Sequence, residues 1–231
     1  MKFHRIGVAK RLILAKKYEQ AKLLLRSLAT NNAEAQLILG YLYYGGDTKT
    51  TAKESHYWLK KSAQNGNAEA IALLASTNFK KGFWSNEPQS QTSLSMTLKA
   101  ANMGSAEAQR SLACAYAHGD VVPQDDIKTM YWDEKAAKQG LAESQNDLAL
   151  MLLHGMGGVV DKENAIYWYK KSASEDHNVP YAQWAAEALE RIYRGAPYKE
   201  LINLKEAEYW RSRAQYLSTL EFRGYPDWFY K

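Results

Sequence analysis

The dipeptide Tyr-Trp occurs four times, at Tyr57-Trp58, Tyr131-Trp132, Tyr167-Trp168 and Tyr209-Trp210, at intervals of 74, 36 and 42 residues. The first interval is two steps of about 37, with the intermediate copy eroded to Ser95-Met96. Self-similarity at a period of roughly 20–50 residues marks a repeat array, in which no copy can bury its apolar face alone. Whatever local elements such a chain forms, they must stack on versions of themselves.

The frame around each pair identifies those elements. Tyr57-Trp58, Tyr131-Trp132 and Tyr167-Trp168 each precede a stretch rich in lysine and alanine, closed in the first two cases by Gly66 and Gly140. A second signature, Ala-Glu-Ala, follows Asn32, Asn67 and Ser105, with Leu141-Ala142-Glu143-Ser144 as a weaker copy; these begin 35, 38 and 36 residues apart. Each repeat therefore holds two helical segments, one opening at the Ala-Glu motif and one carrying the Tyr-Trp pair. Gly66, Gly104 and Gly140 suit the left-handed position that ends a helix. Asn67 and Ser105 suit the cap of the next one, and Glu34, Glu69, Glu107 and Glu143 place negative charge in its first turn. Thr51 to Glu54 has capping-box spacing, while Asp125 and Asp161 suit the caps of the equivalent second helices. Ala35, Leu39, Gly40 and Tyr43 align with Ala108, Leu112, Ala113 and Tyr116, and with Ser144, Leu148, Ala149 and Leu152. Small residues beside leucine at helical spacing let two helices approach to about 8–10 Å.

This set resembles the Sel-one-like repeat family, a subclass of the tetratricopeptide-like α-solenoids, over roughly residues 32–215. The resemblance implies an all-α, right-handed superhelical solenoid of about five hairpins, at residues 32–66, 67–104, 105–140, 141–177 and 178–216. Basic capping helices, Phe3–Ala15 and Tyr18–Ala29, precede it within residues 1–31, and an aromatic tail, residues 217–231, closes it. The second repeat lacks the Trp and carries an insert from Lys81 to Pro88. The last has extra residues between Gly195 and Glu206.

Charge distribution narrows the choice of partner. The net charge is +5, but residues 1–32 carry +7, residues 33–190 carry −5 and residues 191–231 carry +3. A nucleic-acid track would be basic along its length, so RNA binding is the lesser alternative to protein binding. The basic first helix, residues 1–17, is read as an amphipathic end cap, with contact to a membrane surface the weaker reading. The apolar run Leu12–Ala15 is too short for a signal-peptide core or a membrane span, so the expected location is the cytoplasm. The single cysteine, Cys114, excludes an intramolecular disulfide.

No pattern supplies a catalytic residue, cofactor site or metal centre. Gly155 to Gly158 lies in a repeat turn and not in a phosphate loop. His118 and His154 occupy equivalent sites at helix ends, with no third ligand in the spacing. Binding remains. In proteins of this resemblance the first helices line a concave wall. Alignment places on it Glu34, Leu37, Tyr41 and Tyr44; Glu69, Ala72, Ser76 and Phe79; Glu107, Arg110, Cys114 and Ala117; Glu143, Asn146, Leu150 and Leu153; and Trp184, Glu187, Arg191 and Arg194. The partner-contacting candidates are Leu37, Tyr41, Tyr44, Phe79, Arg110, Asn146, Trp184, Glu187, Arg191 and Arg194, enriched in residue types that dominate interface hot spots. The expected function is non-enzymatic: a bacterial adaptor or regulator gripping a partner protein, such as a toxin or secretion component, or alternatively an immunity protein neutralising a cognate secreted toxin or effector.

Overall fold

The computed structural model describes residues 2–44, 49–83, 91–119, 121–158, 160–176, 178–220 and 229, and the side chains of all of these but 2–4, 49–50, 77–83 and 91–92. Twelve α-helices and no strand form among the described residues: α1 Lys2–Leu14, α2 Tyr18–Leu28, α3 Ala33–Tyr43, α4 Lys49–Gln64, α5 Ala68–Phe83, α6 Gln91–Asn102, α7 Ala106–His118, α8 Asp126–Lys138, α9 Ala142–His154, α10 Lys162–Ala173, α11 Val179–Tyr193 and α12 Leu204–Ser218. A 3-10 turn, Lys199–Leu201, precedes α12. The fold is all-α, built of helical hairpins, as the two alternating signatures require. The chain divides into two compact units, residues 1–108 and 109–231.

Helix boundaries follow from side-chain chemistry. Asn32, Asn67, Ser105, Asp125 and Asp161 each accept a bond from the backbone N–H three residues on, at 2.8–3.1 Å, satisfying a donor that the first helical turn leaves orphaned. Asn203 does the same for α12, a cap with no counterpart in the repeat signatures. Thr51 does not: α4 already runs from Lys49, so this threonine lies inside the first turn. Gly66, Gly104 and Gly140 adopt φ of 81°, 97° and 93°, the left-handed exit from a helix.

In the N-terminal unit, α1 packs on α2, α2 on α3, α3 on α4, α4 on α5 and α5 on α6. Ile6, Ala9 and Ile13 of α1 and Ala21 and Leu25 of α2 are buried. Lys10 pairs with Glu34 at 3.0 Å and Arg26 donates to the Tyr43 hydroxyl at 2.9 Å, so both N-terminal helices are tied to α3. In the C-terminal unit α8 packs on α9, α9 on α10, α10 on α11 and α11 on α12, while α9 and α11 also touch directly. The first helices thus form one layer there and the second helices another. The core between them is Leu148, Ala149, Ala165, Trp168, Ala182, Ala185, Ala186, Leu189, Trp210 and Leu217.

The recurrent Tyr-Trp pair divides its work between these environments. Trp132, Trp168 and Trp210 are buried, whereas Tyr57, Tyr131, Tyr167 and Tyr209 stand about half exposed. In all four pairs the rings meet edge to face at 4.8–5.1 Å. A lysine one turn on, Lys61, Lys135 or Lys171, lies over both rings in three of them. The tryptophan fills space between helices while the tyrosine and lysine cover its outer edge, a shape that aromatic quadrupoles and a cation both favour. The tyrosines therefore do not interlock within the core.

Candidate partner-binding face

The first-helix layer of the C-terminal unit carries a connected polar network. Arg110 on α7 pairs through its Nε with Glu143 and, at 2.9 Å from a terminal nitrogen, with Asp147, both on α9. The Arg110 fork also reaches Cys114 Sγ at 3.2 Å. Glu143 also faces the Tyr181 side chain on α11, and burial together with that nearby carboxylate suppresses the acidity of the Tyr181 hydroxyl. Tyr181 meets Trp184 edge to face at 5.3 Å. One path of contacts therefore runs from Arg110 through Glu143 and Tyr181 to Trp184, across three successive first helices.

Behind this network sits Asp133 of α8, only 2% exposed. Its Oδ1 and the neighbouring Ser144 Oγ are both buried and make no well-formed hydrogen bond. Burial pushes the Asp133 carboxyl up to about 7; Asp147 and Glu143 add to the rise, and Ser144 and Arg110 oppose it. Burial likewise raises the Cys114 thiol, keeping it in the unreactive protonated form despite Arg110. His118 lies at the end of α7 with Nδ1 2.8 Å from the Cys114 carbonyl oxygen. Among the described residues no group of three or more His, Cys, Asp or Glu is arranged to hold a metal ion.

The aligned candidates fall into distinct environments. Leu37 is 3% exposed and belongs to the core, on a helix packed against both α2 and α4. Ala72 and Leu153 are buried as well. Asn146 is 9% exposed and donates to the Tyr181 carbonyl oxygen at 2.8 Å, so it fastens α11 to α9 and does not present an amide outward. Arg110 is occupied by two carboxylates. Tyr41 and Tyr44 are partly buried, with parallel rings 6.5 Å apart. The Phe79 side chain lies outside the described residues. On α11 the alignment meets exposed groups: Trp184 is 58% exposed, with Glu187, Arg191 and Arg194 along the same stripe. Glu187 accepts from Gln183 at 2.9 Å, and Arg194 pairs with Glu190 at 3.0 Å.

On α9 the open stripe is Glu143, Asp147, Leu150 and His154, displaced by one residue from the aligned positions 146 and 153. Asp147 was thus missed by alignment. The signal that reaches it is charge: a carboxylate one helical turn after Glu143 shares its face and can close a fork on arginine.

Capped helical hairpins stacked in this way define a helical-repeat fold. Residues 33–67, 106–141 and 142–177 match the Sel1 repeat, so three of the hairpins are Sel1 repeats. Proteins built from Sel1 repeats generally act as protein–protein interaction scaffolds. The chain is similar to the crystal structure of a Sel1 repeat protein from Oxalobacter formigenes, with TM-score 0.72 and 22% identity over 94% of this chain and 88% of that one. It is also similar to a protective antigen of uropathogenic Escherichia coli described as an SLR fold, with TM-score 0.62 and 22% identity over 94% of this chain and 45% of that one. A Pseudomonas aeruginosa protein aligns with TM-score 0.56 and 18% identity over 89% of this chain and 77% of that one. At these identities the likeness is one of fold. A comparison with curated proteins finds no match. No helix among the described residues is long and apolar enough to cross a membrane.

Proposed function

We propose that the C-terminal unit binds a partner protein on its first-helix layer, with Trp184 as the anchor, and that the chain works as a non-enzymatic adaptor or regulator. The observation that carries this reading is the large exposed area of Trp184, standing on a network that holds its surroundings rigid. Burying an exposed tryptophan on association is among the strongest single contributions an interface can gain. Tyr181 supports its edge and lies beside Glu143, which Arg110 grips, so less conformational entropy is left to lose at the contact. The net charge of residues 109–231, which hold 15 Lys/Arg and 18 Asp/Glu, is −3 and disfavours a phosphate backbone as ligand.

The test is affinity capture from the source cell with the full chain and a Trp184→Ala variant as paired baits. A stoichiometric protein retained by the first and lost from the second supports the proposal. Equal recovery by both baits, or capture of RNA alone, defeats it. A captured toxin would give the adaptor its specific role as an immunity protein.

A further inference from the structure

Resting on that reading, we infer that the segment received by the Trp184 face carries positive charge, an arginine- or lysine-containing stretch with apolar neighbours. Two observations, one local and one long-range, point this way. The first is the charge of the surface itself. Trp184 has Glu187 one turn ahead on α11, and its partner Tyr181 has Glu143 as a close electrostatic neighbour. Asp147, with 47% of its side chain open to solvent, lies beside them through the shared Arg110. Arg110 is gripped by Glu143 and Asp147 and neutralises one of their two charges, leaving the trio with one net negative charge. Arg191 lies farther along α11, one turn beyond Glu187. Around Trp184 the carboxylates thus outnumber the cations.

The second observation is the wider field. Residues 109–194, through the C-cap of α11, hold nine Lys/Arg against 13 Asp/Glu, a net charge of −4 across the segment that builds this layer. A long-range negative potential speeds encounter with basic segments and repels acidic ones. At short range an arginine guanidinium satisfies both parts of the site at once: its flat face lies on an indole while its N–H groups reach carboxylates. Leu150, 45% exposed and one turn beyond Asp147 on α9, offers an apolar surface for a residue beside that cation.

The experiment measures fluorescence anisotropy of three labelled ten-residue peptides, in which leucine alternates with arginine, serine or glutamate, titrated with the full-length chain at low and high salt. The expected result is binding of the leucine–arginine peptide at least tenfold tighter than the leucine–serine peptide at low salt, the preference shrinking as salt rises. Trp184→Ala should weaken it tenfold or more. Glu187→Gln, a near-isosteric change at an exposed position, should reduce the ratio of leucine–arginine to leucine–serine affinity. Equal affinity for all three peptides, still lost in Trp184→Ala, overturns the charge assignment and leaves the docking face standing. A preference for the glutamate peptide, or arginine-peptide binding indifferent to both substitutions, overturns it as well. Should none of the peptides bind while the captured partner still depends on Trp184, this inference alone fails.

Discussion

Asp133 lies between Arg110 and Cys114 of α7 and Glu143, Ser144 and Asp147 of α9, and a carboxylate there has exchanged water for an incomplete set of partners. The sign of its effect on stability follows from linkage. Its folded pKa is about 7 while the unfolded chain keeps the ordinary value of about 3.9, so the native state binds the extra proton. The stabilising contribution of the protonated form is fully present below about pH 4, declines between about pH 4 and 7, and is absent above. Asp133→Asn should therefore increase stability at pH 8 by up to about 4 kcal/mol, seen as a higher urea midpoint, and flatten the decline between pH 4 and 7. Urea titrations of both proteins at pH 5 and pH 8 check this; a variant less stable at pH 8 means that the buried carboxylate is paired and charged. Trp184 and Leu37 make a second contrast at this scale. Leu37→Ala opens a cavity in the core and should cost about 3 kcal/mol, whereas Trp184→Ala removes a mostly exposed ring and should change stability by less than about 1 kcal/mol. Thermal melts separate the two. The alignment that the family resemblance supplied put Trp184, Glu187 and Arg191 on an open face, and all three are exposed. It failed at Leu37 and Asn146, because the first lies on a helix packed between two others and a carbonyl oxygen across the layer engages the second.

At the scale of the hairpin, close approach is set by small side chains and secured by polar clamps. A Cβ placed on Gly40 of α3 would stand 2.7 Å from two side-chain carbons of Leu59 on α4, and Leu59 is fully buried with no room to retreat. Ser55 Oγ donates to the Gly40 carbonyl oxygen at 2.8 Å across the same contact. Helix propensity alone favours Gly40→Ala by about 1 kcal/mol. Overpacking costs about 1–3 kcal/mol and here outweighs it, so the variant should be less stable by roughly 1–2 kcal/mol, measured as a lower denaturation midpoint. Buried glutamines supply a further clamp absent from the sequence reading. Gln36 donates to the Ala29 carbonyl oxygen and accepts from Asn65 at 2.7 and 2.9 Å, Gln139 donates to Gln109 at 2.8 Å, and Gln145 donates to the Ala137 carbonyl oxygen at 3.2 Å. Their recurrence directly after Ala33-Glu34-Ala35 and Ala106-Glu107-Ala108 was visible in the chain. Its meaning was not, since glutamine is ordinarily a surface residue and only the facing helix ends show that it is consumed inside.

At the scale of the whole molecule, stacking leaves end surfaces that something must cover, because a repeat array has no closed core. In the N-terminal unit that cover is α1 and α2, whose Ile6, Ile13 and Leu25 are buried and whose Lys10 and Arg26 bond to α3. Deleting residues 2–31 should expose the α3 face and lower the melting temperature by several degrees, with self-association visible in size-exclusion chromatography. An unchanged melt would show instead that these helices are an independent basic appendage. Residues 1–108 hold 15 Lys/Arg and seven Asp/Glu, a net +8 against −3 for residues 109–231, so each compact unit presents its own electrostatic character.

The repeat period, the two helices per repeat and most of their caps were determined by the chain alone, because each depends on residues no more than a few positions apart: an Asn, Ser or Asp before a helix, a glycine after it, an apolar stripe within it. Which face of each helix meets water was decided only by tertiary structure. Burial depends on the neighbour laid alongside, so a one-residue turn of α9 brings Asp147 outward and Asn146 inward. The same packing placed Asp133 where its carboxylate finds neither water nor a full set of partners.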